Sequence, residues 1–271
     1  MQVSRSVFEP NSVSVQQLPF SHFVRQGDGS SPRRAHIHRY PASAWSLSWS
    51  KRLLDFSVAV LVLAVFAVPM LVIALCVRLS SKGPALFVQN RVGRGTRPFA
   101  IYKFRTMEAV PANSSGPGLT RGGDHRITRM GARLRKLKLD ELPQFYNILR
   151  GDMSLVGPRP KLPQYATAVD ALYRPGLTGA ATLAFRCEED ILRGVHPAQL
   201  ETFYNRRIRP LKARMDARYM SRATFRSDLR IIGATFLACA TPPRIPVSFR
   251  DNRGQTLAFR ALADTGSLFE N

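Results

Sequence analysis

The chain has 271 residues, enough for a domain with a buried core, and 45% of them are hydrophobic. Its 40 Lys and Arg against 18 Asp and Glu give a net charge of +22, which predicts an anionic partner: nucleic acid, anionic lipid or a phosphorylated substrate. Cys76, Cys187 and Cys239 are too widely spaced for a disulfide framework or a zinc site, which excludes both classes and favours a reducing compartment.

Residues 1–50 are predicted to form a disordered, basic N-terminal arm. The stretch is rich in Ser, Pro, Arg and His and has no hydrophobic periodicity. It also lacks the apolar segment of a signal peptide, so no secretory leader is expected in it.

An uncharged apolar run extends over 22 residues from Phe56 to Val77. A helix needs about 20 apolar residues to cross a membrane. Pro69 lies inside the run, where it removes a backbone N–H and clashes with the carbonyl one turn back. Basic residues flank both ends, which the positive-inside rule assigns to the cytoplasmic side. Residues 51–80 are therefore predicted to form a re-entrant membrane helix, with an ordinary span containing a tolerated proline as the alternative.

Residues 81–107 are predicted to form a turn followed by strands, because Gly-Pro at 83–84 and Gly-Arg-Gly at 93–95 separate short apolar runs. In an extended segment, Lys103 and Arg105 point to the same face. Two cations on one face suit a diphosphate clamp. A charged strand face without a ligand is the simpler interpretation.

A loop is predicted at 110–123, and a helical pattern returns at Ile127. The apolar residues Ile127, Met130, Leu134 and Leu137 share one face, and basic residues occupy the others. Such a basic amphipathic helix suits an anionic membrane surface. A solvated basic face on a soluble helix is the alternative.

Two adjacent carboxylates, Asp140 and Glu141, follow this helix and precede Pro143. Proline is tolerated in a first helical turn, so Asp140 is predicted to be the N-cap of the next helix, and Glu141 could simply be solvated. The functional interpretation is a phosphate site. A helix N-terminus attracts phosphate, two carboxylates can hold Mg²⁺ with substrate phosphates, and a carboxylate can attack phosphorus.

Arg159 lies between two prolines in residues 157–160, which predict a stiff turn. A rigidly presented arginine can bind phosphate bidentately, although a surface arginine in a proline turn is the alternative. Further helices are predicted at about 197–238, with a break at Pro210, and residues 241–271 are predicted to be an irregular C-terminal tail. Residues 81–240 are thus expected to form one cytosolic catalytic domain.

In this order, these segments closely resemble the bacterial sugar transferase family, the monotopic polyprenyl-phosphate phosphoglycosyl transferases. The resemblance covers about residues 50–238 and is to small members that have only the core. Six segments carry it: 51–55 (KRLLD), 81–93 (SKGPALFVQNRVG), 103–107 (KFRTM), 139–144 (LDELPQ), 151–160 (GDMSLVGPRP) and 174–179 (RPGLTG).

The resemblance implies an α/β fold, mostly α: a re-entrant membrane helix joined to a compact cytosolic domain with amphipathic interfacial helices and a short sheet. It also implies a reaction, in which a UDP-sugar donates its sugar 1-phosphate to undecaprenyl phosphate with Mg²⁺ and releases UMP. This would be the first step of bacterial polysaccharide or glycoconjugate synthesis. The site would lie at the cytoplasmic face of the bacterial inner membrane, where the basic surface attracts anionic substrates and lipid.

The resemblance also assigns roles to residues. Asp140 would be the nucleophile that forms a covalent aspartyl-phosphosugar, and Glu141 would assist at the metal and in proton handling. Pro69 would break the membrane helix. Four basic residues would bind the anionic substrates: Lys103, Arg105, Arg126 and Arg159.

Two other functions compete with this one. A non-catalytic membrane scaffold of a glycan assembly complex would keep the fold, but the intact pair Asp140 and Glu141 argues against it. A nucleic-acid-binding protein would use the charge, but the sequence has no zinc spacing and no RNA-binding aromatic motif, so no such partner is expected. A homodimer is compatible with the sequence, which does not name the sugar.

Overall fold

The computed structural model describes residues 41–108 and 124–241, so most of the predicted arm, the loop at 110–123 and nearly all of the C-terminal tail lie outside the described residues. The described part is mostly helical, with two small two-stranded sheets, which confirms the α/β, mostly α part of the expected fold class. Residues 44–47 and 49–50, assigned to the arm from sequence, are helical. Ser43 caps helix α1 (Ala44–Leu47) and Ser48 caps the helix after it, because each hydroxyl accepts a first-turn N–H.

The apolar run forms a bent helix pair, α2 (Trp49–Val65) and α3 (Ala67–Ser80), with an angle of 64° between the two helices. The break falls at Phe66, one turn before Pro69. Pro69 has no N–H for the Val65 carbonyl, and its ring would clash with that carbonyl in a continuous helix, so it sits in the first turn of α3 instead. Within the described residues, no single helix is long and apolar enough to cross a membrane, whereas this pair together meets the same criteria.

One side of the bent pair is apolar and exposed. Val68 and Leu71, just after the break, are 69% and 71% exposed. On the other side, Ala59 and Val77 are buried against the rest of the fold. An uncovered apolar surface on both helices is costly in water, so the pair suits an apolar environment.

The predicted strands form an antiparallel hairpin of β1 (Leu86–Val92) and β2 (Pro98–Phe104), with Leu86 opposite Phe104 and Val92 opposite Pro98. A turn with left-handed backbone at Gly95 (φ 69°) joins the strands. Phe104 is buried in a cluster with Val77 of α3 and Leu134. The hairpin thus connects the bent pair to the segment that carries the two carboxylates.

The basic amphipathic helix is present as α4 (Arg129–Lys136), with Gly131 and Leu134 buried and the basic residues outside. A Cβ at Gly131 would lie 2.1 Å from the Thr106 carbonyl oxygen, so only glycine allows α4 this close to the hairpin. The helix α5 (Gln144–Arg150) follows and ends at Gly151, whose φ of 90° favours glycine.

The prediction that Asp140 caps α5 is wrong. Asp140 lies inside a 3₁₀ turn, Leu139–Glu141, and α5 begins only at Gln144, after Pro143. Pro143 itself occupies the position before the helix, and no side chain caps it. The physical reason is that Lys138 adopts a left-handed backbone (φ 57°), which turns the chain sharply and places both carboxylates in the tight turn.

The second sheet is a parallel pair of β3 (Ser154–Val156) and β4 (Gly176–Thr178). Met153 and Val156 are buried with Ile148 of α5, and Met220 and Ile231 pack on them from the C-terminal helices. Six helices complete this part of the chain: α6 (Ala168–Leu172), α7 (Ala180–Ala184), α8 (Glu188–Arg193), α9 (Leu200–Phe203), α10 (Arg209–Arg222) and α11 (Phe225–Ala240).

The predicted break at Pro210 is wrong. A π-helical turn, Tyr204–Ile208, joins α9 to α10, so helical backbone continues past the proline. Pro210 lies in the first turn of α10, and the wider hydrogen-bond spacing of a π turn accommodates its missing N–H. The chain breaks instead at residues 223–224, where Thr224 forms a capping box with Ser227 at the start of α11.

Candidate active site

Asp140 and Glu141 are both buried, at 7% and 8% exposure, in the 3₁₀ turn between α4 and α5. A charged carboxylate inside a fold requires cations or hydrogen-bond donors nearby. Asp140 and Glu141 differ in the partners that compensate their charge.

Glu141 is held by two cations through one of its oxygens. Its Oε1 accepts from Lys103 Nζ at 3.1 Å and from Arg159 Nη2 at 2.6 Å. Burial alone would raise the pKa of Glu141, but Arg159 and Lys103 outweigh burial and hold that pKa well below its ordinary value. In return, Glu141 raises the pKa of Arg159. Glu141 is therefore an ionised carboxylate in a pre-formed cationic setting.

Asp140 has the opposite character. Its Oδ1 is buried and has no hydrogen-bond partner among the described residues. Burial, followed by the neighbouring Glu141 charge, raises the pKa of Asp140, while Lys103 and Lys138 oppose the rise. Two adjacent carboxyl groups whose pKa values are pushed apart are typical of a pair with distinct chemical roles. Within the described residues, no hydrogen bond occupies this oxygen of Asp140.

Arg159 reaches Glu141 from the predicted proline turn. The turn is anchored on the parallel sheet: the Gly157 N–H donates to the Thr178 carbonyl at 2.9 Å, and the Gly176 N–H donates to the Pro158 carbonyl at 2.8 Å. A Cβ at Gly157 would lie 2.5 Å from the Arg174 carbonyl oxygen, so the approach requires glycine there. The structure thus brings Arg159 and Lys103 together at one carboxylate, as two of the predicted substrate-binding residues.

Arg105 is not part of this cluster. Its Nη2 donates to the Ser81 carbonyl at 2.7 Å, to the Ser81 hydroxyl at 3.0 Å and to the Val77 carbonyl at 3.2 Å. These groups lie at the end of α3, where the last helical carbonyls have no intrahelical donor. The predicted diphosphate clamp of Lys103 and Arg105 is therefore divided: Lys103 faces the carboxylates and Arg105 caps a helix.

Arg126 forms a bidentate ion pair with Asp124. Its Nε lies 2.9 Å from Asp124 Oδ1, and its Nη2 bonds the other carboxylate oxygen. The hydrogen bond from Arg126 lowers the pKa of Asp124 to about 2. This pair borders the loop at 109–123, and its proposed contact with substrate stays a prediction.

Two cations near the site were not singled out from sequence. Lys138, whose left-handed backbone forms the turn, acts electrostatically on both carboxylates. Arg91, at the end of β1, interacts with Arg159 and Glu141. The positive φ of Lys138 leaves no sequence signal. Arg91 lies within one of the recognised segments, but its neighbours are visible only in the fold.

The carboxylate pair is compatible with a divalent metal. Mg²⁺ binds one or two carboxylates and takes further ligands from phosphates and water, and the unpartnered Oδ1 of Asp140 is a suitable ligand. Within residues 41–108 and 124–241, no three His, Cys, Asp or Glu side chains gather into a metal-binding group. Mg²⁺ bound by Asp140 and Glu141 would take its remaining ligands from substrate phosphates and water.

Comparison with known proteins identifies the family. Residues 46–242 match the family model described as bacterial sugar transferase. A UDP-glucose:undecaprenyl-phosphate glucose-1-phosphate transferase of Caulobacter vibrioides is 48% identical over 144 residues, which cover 48% of this chain and 52% of that protein. A UDP-N-acetylgalactosamine-undecaprenyl-phosphate N-acetylgalactosaminephosphotransferase of Aeromonas hydrophila is 44% identical over 140 residues, 48% of this chain and 33% of that protein.

A third relative is similar over more of its length. The exopolysaccharide production protein PSS of Rhizobium leguminosarum is 35% identical over 206 residues, which cover 69% of this chain and 94% of that protein. By contrast, the matched region spans only about a third to a half of the two transferases above. The family model, at residues 46–242, includes the bent helix pair and the carboxylate site.

Proposed function

Because the chain belongs to the bacterial sugar transferase family, we propose that it transfers a sugar 1-phosphate from a UDP-sugar to undecaprenyl phosphate. UMP is the other product, since it is what remains of a UDP-sugar after loss of the sugar 1-phosphate. The observation that carries the proposal is the buried, unpartnered oxygen of Asp140 beside a Glu141 that two cations hold ionised.

The reaction we propose has two displacements at the phosphorus that bears the sugar. In the first, Asp140 Oδ1 forms a bond to this phosphorus and the bridging oxygen leaves with UMP, carrying the electron pair. In the second, a phosphate oxygen of undecaprenyl phosphate bonds to the same phosphorus and the aspartyl oxygen leaves, which restores the carboxylate. The product is a polyprenyl diphosphate sugar, and no net redox change occurs.

Lys103 and Arg159 stabilise charge during these steps. Both are already oriented by Glu141, so they need little reorganisation when a diphosphate enters beside them. Asp140 attacks as the carboxylate, and Lys103 and Lys138 favour that form against the effect of burial. Glu141 keeps the cations in position, and its lowered pKa makes it a weak base. Mg²⁺, held by Asp140, Glu141 and the donor phosphates, would supply further neutralisation of phosphate charge.

We also propose that the bent pair is re-entrant and that the enzyme acts at the cytoplasmic face of the bacterial inner membrane. The 64° bend, the exposed apolar surface around the break and the basic residues at both ends support this arrangement. A lipid-linked acceptor would then present its phosphate beside the carboxylates. The family match and the PSS relative support a role in initiating polysaccharide synthesis.

The test is UMP release by the full chain in detergent or lipid nanodiscs. The assay supplies undecaprenyl phosphate, Mg²⁺ and either UDP-glucose or UDP-N-acetylgalactosamine, the donors of the two named relatives. We expect UMP release that depends on the lipid and is lost in Asp140→Asn. The control variant Arg97→Met should retain this activity, because it removes an exposed charge from the β1–β2 hairpin. A folded wild-type protein that releases no UMP from any UDP-sugar would instead support a non-catalytic scaffold.

A further inference from the structure

The segment that carries Arg159 is tethered at both ends. On its N-terminal side, the backbone of Gly157 and Pro158 is bonded to the parallel sheet, as described above. On its C-terminal side, the Val92 N–H donates to the Lys161 carbonyl at 3.0 Å. Lys161 in turn is buried and bonded to Asp170 at 3.0 Å. Only residues 159 and 160 lie between these two anchors.

Arg91 contacts residue 160, one of the two residues between these anchors. Its Nη1 donates to the Pro160 carbonyl at 3.2 Å, directly next to Arg159, while its Nη2 donates to Gln89 Oε1 at 2.6 Å. Gln89 lies on the same strand two residues earlier, so the fork of Arg91 joins β1 to the proline turn. An arginine can make two such bonds at once because its donors diverge from a rigid plane.

Arg91 and Arg159 also belong to one charged group. Burial and the nearby Arg159 lower the pKa of Arg91 to about 10, while Glu141 opposes the change. The positive charges of Arg91 and Arg159 repel each other, and the Glu141 carboxylate offsets part of this repulsion. The hydrogen bond to the Pro160 carbonyl fixes Arg91 to the backbone of the turn that carries Arg159.

We propose that Arg91 is a positioning residue for the transfer reaction, which acts by holding the Pro160 carbonyl so that Arg159 stays on Glu141 and on the donor diphosphate. This inference rests on the proposed function, because it concerns the same site. Arg91 acts through geometry rather than through its charge. Lysine at this position would keep the charge but could not make both bonds of the fork.

The test is a double-mutant cycle on the full chain with Arg91→Met, Arg159→Met and both together, plus Arg91→Lys, and Arg97→Met as the exposed control. Steady-state kcat and KM for the UDP-sugar and the melting temperature are measured for each. We expect Arg91→Met to lower kcat/KM by about tenfold, and the double variant to be no worse than Arg159→Met alone within about twofold, because Arg91 acts through Arg159. Arg91→Lys should be impaired almost as much as Arg91→Met.

Three results would overturn this role. Losses that multiply in the double variant would mean that Arg91 acts independently of Arg159. Wild-type activity in Arg91→Lys would assign the effect to charge alone. A fall in melting temperature that accounts for the lost activity would assign Arg91 to general stability. If wild-type protein releases no UMP from any donor, the proposed function itself fails and the inference falls with it, an outcome distinct from an active enzyme that is indifferent to Arg91.

Discussion

Two sets of cations in this protein look alike in sequence and differ in what they face. Lys103 and Arg159 meet the carboxylate of Glu141. Arg52 and Arg105 meet backbone carbonyls at the ends of helices: Arg52 donates to the Ile148 and Leu149 carbonyls of α5 at 2.6 and 2.8 Å, and Arg105 caps α3. The first set places positive charge next to the buried carboxylates, and the second completes the hydrogen bonding of the fold.

The helix-capping set also joins the bent pair to the rest of the chain. Arg52 belongs to α2 and caps α5, while Arg105 follows β2 and caps α3. The bent pair therefore provides the arginine that caps α5, and the rest of the chain provides the arginine that caps α3. Replacing a member of either set should separate the two roles, since site cations affect turnover and capping cations affect folding.

The largest effect is expected for Arg159→Met. Removal of one pre-oriented cation from developing phosphate charge should lower kcat by about a hundredfold or more. Arg159 is a third exposed and Glu141 keeps Lys103 as a partner, so the melting temperature should fall less than in Arg105→Met. Kinetics of UMP release alongside a thermal melt check this. Equal turnover in wild type and variant would remove Arg159 from the site cations.

Arg105→Met should have the reverse profile. Arg105 is 6% exposed and its bonds to α3 would be lost, so the folded state should be destabilised by about 2 kcal/mol. The fraction that folds should keep nearly normal turnover, because Arg105 does not contact the carboxylates. Denaturant or thermal unfolding in detergent, with Arg97→Met as the exposed control, measures the first part. A stable Arg105→Met protein with lost activity would return Arg105 to the predicted clamp.

A smaller effect is expected for Gly83→Ala. Gly83 has φ 118°, and a Cβ there would lie 2.4 Å from Nη1 of Arg105. We expect a loss of about 1 kcal/mol from the backbone strain and the displaced guanidinium. In an Arg105→Met background only the strain remains, so the loss should shrink. An unchanged loss in that background would mean that Gly83 does not serve the arginine cap.

The sequence predicts many of the elements that carry these cations, but it does not predict which cations face the carboxylates and which cap helices. The apolar run with Pro69, the hairpin and α5 follow from local patterns: proline chemistry, turn glycines and apolar periodicity. The pair Asp140 and Glu141 could also be located. Those signals are local because they depend on backbone geometry within a few residues.

What could not be predicted depends on distant partners. The alternation that places Lys103 and Arg105 on one face is correct for a strand, yet the long Arg105 side chain is drawn to the free carbonyls of α3. Asp140 is not the N-cap of α5 because Lys138 adopts a left-handed backbone conformation, which a lysine does not lead one to expect. The contact of Arg91 with Pro160 joins residues 69 positions apart.

The central claim is that the unpartnered oxygen of Asp140 forms a covalent bond to the sugar phosphate. The most direct measurement is intact-protein mass spectrometry after incubation with a UDP-sugar and Mg²⁺ in the absence of undecaprenyl phosphate. We expect wild-type protein to gain the mass of one sugar phosphate, to lose it when undecaprenyl phosphate is added, and Asp140→Asn to gain nothing. An adduct that persists in Asp140→Asn, or UMP release in the presence of lipid with no adduct at any time, would contradict this account.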